Sequence, residues 1–152
     1  MPNVFEVAKY FLSKSELNTE RAITHLKLQK LVYYAQAWYY TIEKKKPLFQ
    51  ERIEAWVHGP VCPDLYSKYR EYGFEVIDPS NEESQTNFDP KTKSILDFVW
   101  DLYGCRDGKE LEELTHQEEP WKIARGHLDD SQSSNNEISL DDMNKYYSKF
   151  LT

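Results

Sequence analysis

Glycine and cysteine are scarce in this chain: 152 residues contain five glycines and two cysteines. Five glycines leave little material for a phosphate-cradling loop, and no GxGxxG, Walker or GxSxG pattern is present. Cys62 and Cys105 lie far apart and match no CxxC spacing, so they read as free thiols of a reducing compartment. No apolar run approaches the ~18 residues that suggest a membrane helix. The opening stretch from Met1 to Phe11 is broken by Asn3, Glu6 and Lys9, unlike a secretory leader, so a cytoplasmic location is expected. Positive charge is also short. Nineteen basic residues face 26 acidic ones, a net charge of -7, and the longest basic run is Lys44-Lys45-Lys46. That balance argues against a phosphate-tracking surface, and beside Pro47 the three lysines read as a solvated loop.

What the chain has in excess is rings. Eleven tyrosines, seven phenylalanines and four tryptophans bring the aromatic share to 14%. Much of the core must then be built from rings, and tyrosine and tryptophan left at the surface would suit contact with a partner. The length is that of one ordinary domain, able to bury about two-thirds of the surface its unfolded form exposes.

Periodicity predicts a mainly α fold, a compact single-domain bundle around a buried central helix with a small antiparallel β element. Val4, Phe5, Val7, Ala8, Phe11 and Leu12 recur at helical spacing. Thr24 offers an N-cap to a helix from His25 to about Glu43, with Leu28, Leu31, Val32, Ala35, Tyr39 and Ile42 on one stripe and further apolar residues on the other faces. A helix apolar on most sides is central. Its Gln29 and Gln36 should therefore be paired with backbone, with the 56–60 segment a candidate partner, because an unpaired buried amide costs about 1–3 kcal/mol.

Arg52 to His58 alternate as a short strand, which Phe74–Ile77 would partner after Gly59-Pro60 turns the chain and a helix from Pro63 runs to Gly73. Asp78–Asn87 reads as a polar, mobile loop. Asp89-Pro90 starts a helix through Tyr103 with Ile95, Leu96, Val99 and Leu102 inward, and Asp107 with Glu110 forms a capping box for the next. A short helical turn opens at Glu119-Pro120-Trp121. Asp129–Asn136 is a flexible spacer, and a last helix returns Leu140, Met143, Tyr147, Phe150 and Leu151 to the body.

The histidines are the natural place to seek a metal or a general base. His116 stands beside Glu118 and Glu119 without a second histidine one turn away, so zinc geometry cannot be assembled locally. A metal-dependent hydrolase would have to recruit His58 through the fold. Cys62 lies four residues after His58, but Gly59-Pro60 breaks any helix joining them, and a small buried thiol is the simpler reading. No motif supports an enzyme, and no cofactor is expected. Trp56-Val57-His58-Gly59-Pro60 and the 114–121 segment each join tryptophan, histidine and proline, which suggests two loops packed together with His58 and His116 bonded to backbone.

Three ordered motifs carry a family resemblance. Leu28-Gln29-Lys30-Leu31-Val32-Tyr33-Tyr34-Ala35-Gln36-Ala37-Trp38 is similar to a KLQKLLYYAQ.W helix. Pro47-Leu48-Phe49, Ile53-Glu54-Ala55-Trp56 and His58-Gly59-Pro60-Val61 fit PLF...IEAW.HGPV, and Leu114-Thr115-His116 with Glu119-Pro120-Trp121 fits LTH...PW. The chain thus resembles the Panacea-domain antitoxins, a family that includes SocA-like proteolytic adaptors and phage-associated proteins, over residues 4–126 and the last helix. Tyr39, where histidine is frequent, and Cys62, where a branched apolar residue is common, depart from the pattern.

The resemblance implies an antitoxin of a bacterial or prophage system that neutralises a cognate protein toxin by direct contact, or alternatively an adaptor handing the toxin to a Clp-type protease. It names neither the toxin nor the oligomeric state. Leu28, Gln29, Lys30, Leu31, Tyr34, Ala35, Gln36 and Trp38 are expected to define the fold. Trp56, His58, Gly59, Pro60, Tyr66, His116, Glu119, Pro120 and Trp121 are the candidate partner-binding residues, with the 78–87 loop tuning which partner binds.

Overall fold

A computed structural model describes residues 1–81 and 86–151. The fold is organised by helix α2, His25–Ile42, of which all but Leu26, Tyr39 and Ile42 are buried. Around it pack α1 (Val4–Lys14), α3 (Pro63–Tyr69), α4 (Pro90–Tyr103), α5 (Gly108–His116) and α7 (Leu140–Tyr147), while α6 (Glu119–Arg125) bridges α5 and α7. The expected central helix is thus present, although Tyr39 and Ile42, at the end of its predicted stripe, are only half-buried. No helix among the described residues is long and apolar enough to cross a membrane.

Local chemistry sets most helix starts. Thr24 Oγ1 accepts from the Lys27 amide, and the Asp89 and Ser139 side chains cap α4 and α7 in the same way. Asn3 with Glu6 and Asp107 with Glu110 form full capping boxes. Each satisfied cap contributes about 1 kcal/mol.

The β element differs from its predicted pairing. Strand β1 (Glu54–Trp56) pairs antiparallel with β2 (Gly59–Val61), Trp56 opposite Gly59, so Val57 and His58 form the turn and Gly59-Pro60 belongs to a strand. Closing a two-residue hairpin costs far less chain entropy than recruiting a strand some twenty residues away. Val76 of the expected partner bridges Thr24, and the Ile77 amide donates to the Ile23 carbonyl at 2.8 Å, which places Ile77 in the core. The other edge of β1 is covered from the C-terminal side, where Ala55 donates to the Asn136 carbonyl and Ile138 to that of Ile53, both at 2.8 Å.

Other inward positions are also corrected. Leu102 is 43% exposed, because the stripe of α4 runs through Ile95, Leu96, Val99, Trp100 and Tyr103, and position 102 falls off it. Phe150 and Leu151 are exposed: α7 gives way after Tyr147 to a 3₁₀ turn at Ser148–Phe150, which carries them off the buried face of Met143 and Tyr147. Within the expected 78–87 loop, Pro79–Asn81 form a 3₁₀ turn, and residues 82–85 lie outside the described residues.

Both buried glutamines clamp backbone, at sites other than the 56–60 segment. Gln36 Nε2 donates to the Phe49 carbonyl and its Oε1 accepts from the Leu48 amide, both at 2.7 Å. Gln29 Oε1 accepts from the Cys62 amide at 2.9 Å, and its Nε2 approaches His25 Nε2 at 2.9 Å. The motif residues of α2 thereby pin the two chain segments that flank the hairpin. Gln36→Ala, which orphans two buried backbone groups, is expected to lower stability by about 1–3 kcal/mol in urea denaturation.

Candidate partner-binding surface

The hairpin rests on the central helix through a lysine. Lys30 is fully buried, and its ammonium donates to the Pro60 carbonyl at 3.0 Å. Gly59 lies over the same side chain: a Cβ there would sit 2.7 Å from Lys30 Cε and 2.9 Å from Thr115 Oγ1. Its φ of +102° also disfavours any L side chain. The glycine is therefore required twice, by backbone conformation and by the close approach of Lys30.

A second support comes from α6. The Trp121 indole donates to the Trp56 carbonyl at 2.8 Å, its ring stacks on His116 with centroids 4.0 Å apart, and the Arg125 guanidinium lies 4.8 Å from the ring. Arg125 in turn donates to the carbonyls of Ala55 and Asp129, at 3.0 and 2.8 Å, and to that of Gln132. One buried side chain thus ties the polar spacer, expected from its composition to be a flexible loop, to strand β1. The two segments joining tryptophan, histidine and proline do pack together, as their composition suggested.

Charge is buried under the hairpin at Lys30 and further along the central helix at Lys27. Burial drives Lys30 down to about 7, against the pull of the Glu112 carboxylate, and Lys27 down to about 8. Lys27 donates to three carbonyls, those of Glu20, Ala22 and Gly104. Burial pushes the Glu112 carboxyl up, but Lys109 and His58 outweigh it and hold the group below the usual carboxylate range. His58 Nδ1 stands 3.2 Å from Glu112 and Lys109 Nζ 3.3 Å from it. His58 therefore turns to a carboxylate, and the expected backbone bond is absent among its described contacts. His116 does meet backbone, at Val57, and burial lowers its pKa.

The residues of the hydrolase alternative are not brought together. His58 pairs with Glu112, and His116 lies against Trp121. Glu118 accepts from the Tyr34 and Tyr147 hydroxyls, both at 2.8 Å, with its carboxyl pushed up by burial. Glu119 pairs with Lys149 at 2.9 Å. Among the described residues no group of three or more His, Cys, Asp or Glu side chains is arranged to hold a metal ion. Cys62 is buried, and burial raises its thiol to about 11.

Candidate contact residues divide by exposure. His58, Tyr66 and Glu119 are exposed and Trp56 and His116 half-buried, whereas Gly59, Pro60, Pro120 and Trp121 are covered. The eight motif residues of α2 are all buried. Two depressions flank the hairpin and share Trp56 and His58 as lining: one of ≈ 660 Å³ toward Ser133–Asn135, the other of ≈ 380 Å³ toward Tyr66, Arg70 and Phe74. Phe74, 98% exposed, and Arg70 escaped sequence reasoning as site residues, since Phe74 reads as part of a strand and Arg70 as part of the helix from Pro63. Lys27 and Lys30 escaped it as buried groups because lysine ordinarily lies in water.

A family model described as the SocA-like antitoxin, Panacea domain matches residues 28–122, a span that contains α2, the hairpin and the Trp121 support. Searches of curated proteins and of solved structures returned no match.

Proposed function

This chain belongs to the SocA-like, Panacea-domain antitoxin family, and from that premise we propose that residues 1–152 act as one unit that neutralises a cognate toxin by binding it directly, with the Trp56–His58 hairpin at the contact. The observation that carries this reading is the construction of the hairpin. Its backbone carbonyls at Ala55, Trp56 and Pro60 are each bonded from below by a buried side chain, Arg125, Trp121 and Lys30, while His58 at its tip is exposed between two depressions. A rigid, projecting tip with an indole beside it loses little conformational entropy on binding and suits an interface anchor. The net charge of -7 favours capture of a basic toxin by electrostatic steering.

Co-expression with the product of the adjacent gene, scored by growth and then by co-purification, tests the reading. Rescue with a stable complex is expected; a toxic neighbour that is neither bound nor neutralised sinks it. Within the complex, His58→Ala is expected to weaken binding about tenfold. Its melting temperature should stay close to that of the parent, because the side chain is 72% exposed and so exposed a contact with Glu112 adds little stability. An unchanged dissociation constant would remove the hairpin tip from the interface.

A further inference from the structure

The ≈ 380 Å³ depression on the α3 side of the hairpin has a chemistry of its own. One wall is aromatic and continuous: Trp56 packs on Tyr66 with centroids 5.0 Å apart, and Tyr66 on His25 at 5.2 Å. Phe74 stands at the mouth, almost wholly in water. The polar groups of the floor are already used. The Gln29 amide is spent on Cys62 and His25, and burial lowers His25 to about 4, so its ring is neutral at physiological pH. Whatever enters the floor is therefore offered apolar and ring surface, with few free hydrogen-bonding groups.

Charge at the rim is uneven. Glu112 is occupied by His58 and Lys109, and it also faces the buried Lys30. Arg70 lines the same depression and is exposed, and its guanidinium makes no ion pair or hydrogen bond with any described residue. It is the uncompensated charge of the lining, on a chain whose overall charge is -7. A lone guanidinium beside an aromatic slot matches a carboxylate next to a large apolar side chain, since arginine binds carboxylates through paired N–H donors. The second depression continues the surface beyond His58, which gives room for an extended chain.

We propose that this cleft binds an extended protein segment carrying a large apolar side chain next to an acidic one, the apolar group against Trp56, Tyr66 and Phe74 and the carboxylate on Arg70. The occupant is a segment of the toxin, so this step rests on the proposed antitoxin function. Arg70 acts locally to set register, while the negative field of the whole molecule steers the approach of the toxin.

A charge-swap experiment tests it. The labelled full chain and its Arg70→Glu variant are titrated in NMR with three blocked tetrapeptides, Gly-Phe-Glu-Gly, Gly-Phe-Gln-Gly and Gly-Phe-Lys-Gly. In the parent protein the acidic peptide should shift the Trp56 indole and Phe74 amide signals and bind about tenfold more tightly than the basic one; Arg70→Glu should reverse that order. Shifts confined to other regions, no shifts at peptide concentrations in the millimolar range, or an order unaffected by Arg70→Glu overturn the proposal.

Co-purification of the adjacent gene product with both proteins separates this idea from the one it rests on. A toxin retained equally by both overturns the cleft as its docking site and leaves neutralisation standing. A cleft that responds to the peptides in a protein that retains no toxin leaves the cleft standing and overturns the antitoxin reading.

Discussion

Trp121→Ala is expected to lower stability by about 3–5 kcal/mol, measured by urea denaturation, with loss of toxin neutralisation following the loss of folded protein. The side chain is 1% exposed, and three interactions end on it. Truncation opens a cavity of indole size, leaves the Trp56 carbonyl without its donor, and strips the stacked face from His116 and the cation–π partner from Arg125. Arg125 is already burdened by a buried Nε without a partner, so loosening its surroundings should free the 129–132 carbonyls as well. Trp121→Phe keeps most of the ring volume and loses the hydrogen bond, so a smaller cost of about 1–3 kcal/mol is expected. A Trp121→Ala protein as stable as the parent but unable to neutralise would reassign the indole from support to contact.

Stability should rise with pH from about 7 to about 9, an unusual profile produced by burying two lysines. Folded Lys30 titrates at about 7 and Lys27 at about 8, against 10.5 for the free side chain. Between those values the unfolded chain holds protons that the folded chain has released, so raising the pH favours the folded state, by at most about 1.4 kcal/mol per pH unit for each lysine. The opposite sign takes over at higher pH. Burial raises Cys62 to about 11 from 9 and the Tyr33, Tyr34 and Tyr147 phenols well above 10, so the unfolded chain loses those protons first and stability falls. On the acid side, His25 at about 4 against 6.5 withdraws stability as pH drops below 6.5.

Denaturation curves at several pH values between about 6 and 11 should therefore pass through a maximum between about pH 9 and 10. Lys30→Met should remove the larger share of the rise and leave the part due to Lys27. A parent protein whose stability is flat from pH 7 to 9 would mean that both lysines stay charged, Lys30 held so by Glu112 and the Pro60 carbonyl, and that its ammonium is a permanent part of the hairpin support.

Much of the fold was legible in the sequence because its signals are local. A cap acts within one turn, so Thr24, Asp89, Asp107 and Ser139 mark helix starts without reference to anything distant. Periodicity identified α2 as central, and cost arguments required partners for Gln29 and Gln36. The family too is a property of the sequence, since its motifs are ordered strings. What those motifs touch was beyond local reading. Gln29 closes on a residue 33 positions away, Trp121 on one 65 away, and Tyr33 meets Tyr147 across 114.

The candidate site divides along the same line. Sequence alone singled out Trp56, His58 and Trp121 as a group, but could not say that Trp121 supports the hairpin from below while His58 stands at its tip. Nor could it show that Lys30 lies buried under Gly59, or that Arg70 and Phe74 border Trp56. Residue type and spacing determine which helices form and which faces are apolar; burial of a charge, the partner of a carbonyl and the exposure of a ring depend on which distant segments pack against it, and that was decided only by the tertiary structure.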